Sequence, residues 1–139
     1  MMSKTVKSIM LIDDNKVDNF FHQRVIRKYD DTIEVITKES GQEALDYLTE
    51  STRKHDPDII FLDINMPGMN GWEFIEHYNE LDPKLHNSNI VVMLTTSGNP
   101  DDKSIADTYH VVSEFRTKPL TTKMLEEVIS KLSFPSTEG

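Results

Sequence analysis

Four places in this 139-residue chain set chemically useful side chains directly after a short strand-like run. Asp13 and Asp14 follow Ser-Ile-Met-Leu-Ile, Asp63 follows Ile-Ile-Phe-Leu, Thr95 and Thr96 follow Ile90 to Leu94, and Lys118 follows Ser113 to Thr117. Three carboxylates gathered at one place repel one another, and leaving them unpaired costs stability unless a cation joins them. With only oxygen donors on offer, and few of them, Mg²⁺ fits better than Ca²⁺, because it keeps several waters and shares its sphere with phosphoryl oxygens. Mn²⁺ should substitute. A carboxylate beside such an ion can attack phosphorus, and Asp63 is the candidate nucleophile. Lys118 would neutralise phosphoryl oxygens from one side while Thr95 donates a hydroxyl hydrogen bond from another. Phosphoryl transfer needs little beyond that positioning.

Each feature alone is weak. An acid pair after a strand is commonly a cap or a solvated turn, a lone Thr at a strand end is commonly a turn residue, and Lys-Pro is commonly a surface loop. Independent turns, however, would not set acid, acid, hydroxyl and lysine at the ends of strands one, three, four and five.

The elements that must position them follow from periodicity. Ser8 to Ile12 reads as a strand buried on both faces. Val17, Phe20, Phe21, Val25, Ile26 and Tyr29 recur at helical spacing and predict a one-sided helix. Ile33 to Thr37 is a second strand, and Ser40-Gly41-Gln42-Glu43 has the capping-box form ahead of a helix through about Leu48. Asp56-Pro57-Asp58 stops that helix and leads into Ile59 to Leu62, the expected centre of the sheet. Asn70-Gly71-Trp72-Glu73 again has capping character, ahead of Phe74, Ile75 and Tyr78. Ile90 to Leu94 is the fourth strand, Asn99-Pro100 starts a short helix, Ser113 to Thr117 is the fifth strand, and Leu120 to Leu132 is a closing helix. Strand then helix, five times over, predicts an α/β fold: a doubly wound, five-stranded parallel sheet with helices on both faces. Ligands in such sheets sit at the carboxyl ends of the strands.

The bulk composition sets bounds on function. The length suits one domain, expected over residues 7–132 with flexible termini at 1–6 and 133–139. No cysteine occurs, which excludes disulfides and thiolate metal sites. Neither a signal peptide nor a run of roughly 20 apolar residues is present, so a cytoplasmic location without membrane attachment is expected. The formal net charge of −9 argues against direct nucleic-acid binding, since phosphate backbones reward clustered Lys and Arg.

The stretch Pro-Asp-Ile-Ile-Phe-Leu-Asp-Ile-Asn-Met-Pro-Gly-Met-Asn-Gly, Pro57 to Gly71, resembles almost residue for residue the phosphorylation-site block of response-regulator receiver domains. The match covers about Lys7 to Leu132 and is similar to stand-alone chemotaxis and phytochrome-type regulators. The resemblance implies a flavodoxin-like fold of strand order 2-1-3-4-5, and phosphorylation of Asp63 by a sensor histidine kinase or phosphotransfer protein. It implies that Asp14 ligates Mg²⁺ directly, that Asp13 acts largely through water, and that the Asn65 carbonyl supplies a further ligand. Lys118 would pair with the phosphoryl group, and the Lys118–Pro119 peptide bond would be cis. Thr95 and Phe115 align with the hydroxyl and aromatic switch positions, whose movement in the family remodels the face of the fourth helix, fifth strand and fifth helix. The downstream protein target is not named by the sequence, and the expected state is a monomer or a weak phosphorylation-dependent dimer.

The chain departs from the family at several positions. Residue 115 is Phe where Tyr is frequent, so a switch there rests on packing alone. Tyr109-His110-Val111-Val112 lacks the usual Gly-Ala turn, and the connections at 51–55 and 81–89 are longer than is common. Three functions compete: a phosphorylation switch without its own output domain, a Mg²⁺-dependent phosphohydrolase with an Asp nucleophile, and a constitutive interaction module. The hydrolases carry a second acid two residues after a first-strand nucleophile, whereas here Asn65 follows Asp63 on the third strand. An intact set of acids, Thr and Lys disfavours the constitutive module. The first reading is therefore preferred: a phospho-acceptor signalling domain rather than an enzyme. Dinucleotide binding is excluded, because the first turn holds two acids and no Gly-rich loop.

Overall fold

The computed structural model describes residues 6–50, 57–82, 84, 88–94 and 112–131. The elements are β1 (Ser8–Ile12), α1 (Lys16–Tyr29), β2 (Glu34–Lys38), α2 (Gly41–Thr49), β3 (Ile59–Asp63), α3 (Gly71–Asn79), β4 (Asn89–Leu94), β5 (Val112–Thr117) and α4 (Thr122–Lys131). The helix expected from Asn99-Pro100 lies outside the described residues. So do residues 51–55, 109–111 and Leu132.

The sheet has the order β2-β1-β3-β4-β5, and every pairing is parallel. Successive residues of a strand point to opposite faces, so strands buried on both sides feed two cores. Met10, Ile12, Ile60 and Leu62 face Leu48, Phe74 and Tyr78 of α2 and α3. Ile9, Leu11, Ile59 and Phe61 face Ile26 of α1 and Leu125 and Val128 of α4. Asp58 ties β1 to β3 at their amino ends, its Oδ2 accepting from the Lys7 and Ser8 N–H groups at 2.6 and 3.2 Å.

Capping sets where the helices begin. Asn70 and Glu73 form the expected reciprocal box on α3, each side chain accepting from the other's backbone N–H at 2.9 Å. On α2 the box is modified: Ser40 Oγ accepts from the Glu43 N–H, but Glu43 Oε1 reaches one residue further back, to the Glu39 N–H. The last helix starts at Thr122 rather than Leu120, because Thr121 Oγ1 caps the Met124 N–H while Leu120 turns into the core.

One expectation needs correcting. The apolar residues of α1 do not share a single inward side: Val17, Phe20 and Phe21 are 60, 53 and 56% exposed, whereas Asn19, His22 and Ile26 are buried. At ~100° per residue, positions 17, 20 and 21 lie on the opposite side of the helix from 19, 22 and 26. Val25 and Tyr29, between the two stripes, pack partly against the core. The outward rings meet edge to face, with centroids 5.6 Å apart, and the Arg24 guanidinium sits 5.7 Å from the Phe20 centroid.

Candidate functional site

Parallel strands that start level also end level, so the residues after β1, β3 and β5 meet at one edge of the sheet. Asp13, Asp14 and Asp63 each offer a carboxylate oxygen, all within 4.8 Å of one another. Asp13 and Asp63 are buried and Asp14 is exposed, so the group opens to solvent on one side only. Lys118 stands beside the two buried carboxylates and lines the same cleft. Its Nζ donates to Asp13 Oδ2 at 2.6 Å and to Asp18 Oδ2 at 3.0 Å, and stands 3.7 Å from Asp63 Oδ1.

The loops that hold these groups are themselves tied down. Asp13 Oδ1 accepts from the Asn15 N–H at 2.9 Å, and Asn15 Oδ1 in turn caps α1 by accepting from the Val17 and Asp18 N–H groups. Asn19 Nδ2 donates to the Asp13 carbonyl at 2.9 Å, which fixes the β1–α1 loop from inside. His22 Nε2 accepts from the Leu120 N–H at 3.4 Å, which joins α1 to the loop carrying Lys118. The Lys118–Pro119 bond is cis. After β3, Asp63 Oδ1 accepts from the Asn65 N–H at 3.3 Å, and Gly71 donates its N–H to the Ile64 carbonyl at 2.9 Å. Gly68 takes a positive φ of 77°, the region that favours glycine, and so turns the chain between Asp63 and α3.

Charge is unevenly compensated here. Burial, and then the nearby Asp13 carboxylate, push the Asp63 carboxyl up from 3.8 to about 6, against the opposing pull of Lys118 and the Asn65 N–H. Burial works against the Lys118 charge, but its hydrogen bonds to Asp13 and Asp18 outweigh it and hold the ammonium above the ordinary lysine value. His22 is displaced downward, by burial first and by Lys118 second. One lysine thus serves several carboxylates. An all-oxygen donor set that leaves Asp63 reluctant to ionise fits a small divalent cation such as Mg²⁺ or Mn²⁺, which would be held by Asp13, Asp14 and Asp63. An exposed cleft lined by Asp14, Asn65 and Pro119 leads to these groups. The void behind them, about 10 Å³, has room for no more than a single water.

A family model for the response regulator receiver domain matches residues 9–130. The chain belongs to that family. Among relatives, this receiver is 31% identical to the response regulator Rcp1 of Synechocystis sp., over 78% of this chain and 75% of that protein. The Mn²⁺-bound form of a response regulator Rcp1 superposes with a TM-score of 0.73 at 26% identity, covering 93% of this chain and 99% of that one. A two-component response regulator from Cytophaga hutchinsonii superposes with a TM-score of 0.83 at 32% identity, covering 91% and 96% of the two chains. The phosphorylated cyanobacterial phytochrome response regulator RcpA superposes at 0.70 with 30% identity, covering 90% and 89%. The flavodoxin-like receiver fold in strand order 2-1-3-4-5 is therefore shared with solved relatives.

Of the receiver residues singled out in the sequence, Asp13, Asp14, Asp63 and Lys118 come together, with Asn65 on the rim of the cleft. Thr95 lies outside the described residues. Phe115 is half-buried on β5 and packs against the core beneath α2 and α3. Asp18, Asn19 and His22 were not anticipated. An acid in the first turn of a helix reads as a favourable end charge, and polar residues inside an amphipathic pattern read as solvated. Only the structure, by turning that side of α1 inward, gives these three residues a part in the site.

Proposed function

We propose that this receiver domain takes a phosphoryl group on Asp63 from the phosphohistidine of a sensor histidine kinase or phosphotransfer protein, and then alters partner binding or passes the group on. The observation that carries this is the pairing of a buried carboxylate, Asp63, with two further acids within 4.8 Å and an ammonium at 3.7 Å. An Asp63 oxygen attacks phosphorus, the phosphorus–nitrogen bond breaks, and the donor imidazole keeps the electron pair. A bound Mg²⁺ or Mn²⁺, held by Asp13, Asp14, Asp63 and the Asn65 carbonyl, would neutralise phosphoryl charge. Lys118 neutralises charge from the other side, and Thr95 is assigned the hydroxyl hydrogen bond to the phosphoryl group. Thr95 and Phe115 are the proposed switch pair. The Mn²⁺-bound Rcp1 and the phosphorylated RcpA support the same chemistry here.

The product is stoichiometric, one acyl phosphate per chain, so the domain signals rather than turns over substrate. No described helix is long and apolar enough to cross a membrane, and a cytoplasmic site of action belongs to the same proposal. The test is incubation with an acyl phosphate and Mg²⁺. Wild type should gain one acid-stable, base-labile phosphoryl group, and a folded Asp63→Ala variant should gain none. A wild-type protein that stays unmodified, or one that hydrolyses a phosphomonoester over many cycles, would defeat the reading.

A further inference from the structure

We propose that Asp18 is a positioning residue that competes with the Asp63 phosphoryl group for the Lys118 ammonium, and so sets how tightly the site holds that group. This rests on the phospho-acceptor reading above and adds a residue to it.

Lys118 has three hydrogens to give. It spends two of them on Asp13 Oδ2 and Asp18 Oδ2, at 2.6 and 3.0 Å, while Asp63 Oδ1 remains at 3.7 Å. The two competing acids differ in kind. Asp13 belongs to the three-carboxylate cluster, so a cation held there would draw its charge away from the lysine. Asp18 lies outside that cluster, on the first turn of α1, and keeps its hold on Lys118 whether or not a cation is present.

Asp18 is also able to let go. Its side chain is 38% exposed, so water satisfies the carboxylate when the ammonium leaves, and the amino end of α1 favours a negative charge there. Its backbone N–H is held by Asn15 Oδ1 at 3.1 Å, which keeps the residue in place during the exchange. The pair is open to solvent at its Asp18 end, while Lys118 is only 14% exposed, and a phosphoryl group carrying close to two negative charges can take Lys118 from it. Asp18 also places its own charge in the cleft that the anion must enter. Loss of the partner and loss of the field act in the same direction.

The experiment is titration of Mg²⁺-saturated protein with beryllofluoride, a stand-in for the phosphoryl group, comparing wild type, Asp18→Asn and Asp18→Glu. Asp18→Asn should bind beryllofluoride about two- to fivefold more tightly, the range expected for an ion pair of this exposure. Asp18→Glu restores a carboxylate within reach of the lysine and should return the affinity to that of wild type. Binding by Asp18→Asn that is unchanged or weaker overturns the proposal. So does a Glu variant that behaves like Asn, because shape rather than charge would then be responsible. Wild type that fails to bind beryllofluoride at all brings down the phospho-acceptor reading and this inference with it, an outcome distinct from either of the others.

Discussion

Lys118 Nζ lies 2.6 Å from Asp13 but 3.7 Å from Asp63, so the ammonium rests nearer to an acid expected to share a metal than to the acid expected to react. In the proposed phospho-acceptor site, metal, lysine and phosphoryl group would be coupled through Asp13. Under the proposed function, a cation that engaged Asp13 would loosen Lys118 toward Asp63.

Mg²⁺ or Mn²⁺ should stabilise the receiver saturably, by about 1.4 kcal/mol when the free ion is at ten times its Kd. Thermal unfolding, together with the fluorescence of Trp72 a few residues beyond the acceptor turn, measures this, and a chelator should reverse it. Asp14→Asn should weaken the ion by about tenfold, one charge-assisted ligand being lost. A wild-type melting curve that ignores both ions would contradict the assignment of Asp13, Asp14 and Asp63 to a metal.

The pH dependence of the metal-free protein follows from Asp63. Because its carboxyl is raised from 3.8 to about 6, the native state binds more protons than the unfolded chain between those values. Stability must therefore fall as pH rises through that window, with the penalty complete above about pH 6. At ~1.4 kcal/mol per pH unit the penalty reaches up to about 3 kcal/mol. Asp63→Asn should remove it, so that in the absence of metal at neutral pH the variant denatures at higher urea than wild type. Equal midpoints would show that Asp63 ionises without cost.

His22 has the opposite sign. Its pKa in the folded protein is below 6.5, so the unfolded chain binds the extra proton, and the stability it contributes is full above about pH 6.5 and lost as pH falls. In wild type the Asp63 slope masks part of this. In Asp63→Asn the His22 slope should stand alone, as a loss of stability from pH 7 toward pH 5, and adding His22→Gln should flatten it while keeping an acceptor for the Leu120 N–H. An Asp63→Asn profile that is already flat would mean that His22 is not held neutral.

Two glycines near the acceptor should differ in cost. A Cβ on Gly71 would lie 2.7 Å from Ile64 Cα and 2.8 Å from the Asp63 carbonyl oxygen, backbone atoms that cannot give way cheaply. Gly71→Ala should cost about 1–3 kcal/mol and also weaken Mg²⁺ binding, since relief requires moving the chain at Asp63. Gly68→Ala meets open space but a φ of 77°, and should cost only about 1 kcal/mol. Urea denaturation of both variants checks the order, and a harmless Gly71→Ala would mean that the loop is looser than its contacts imply.

Much of this was legible in the residues. Ser8 to Ile12 read as a strand buried on both faces and Ile59 to Leu62 as the centre of the sheet because both are short apolar runs, and the acids that follow fall at the sheet edge by the rule for parallel sheets. Asn70 and Glu73 disclosed their cap because a capping box is a purely local device. The rotation of α1 was not legible. Phe20, Phe21 and Val17 supply more apolar surface than Asn19 and His22, and a reading based on hydropathy chooses the wrong stripe. The decisive partners are the Asp13 carbonyl in the loop just before α1, six residues from Asn19, and the Leu120 N–H far along the chain from His22, and no helical periodicity announces either.

On α1, therefore, hydrogen bonds at Asn19 and His22 act together with the buried Ile26 to hold one side of the helix against the core, while a more apolar stripe stays outside. Asn19 and His22 act as a key that sets the roll of α1 about its own axis. Such a polar key is easily picked: with Asn19→Leu and His22→Leu together, the rolled and unrolled packings would be told apart by apolar area and by the Asp18–Lys118 ion pair. The pair would then have lost the feature that makes one orientation unique, and Phe20 and Phe21, now outside, would be free to compete for the core. Register in this receiver is thus written in amide and imidazole, and the aromatic residues on the outside are there because something weaker in hydrophobicity but stronger in direction already holds the inside.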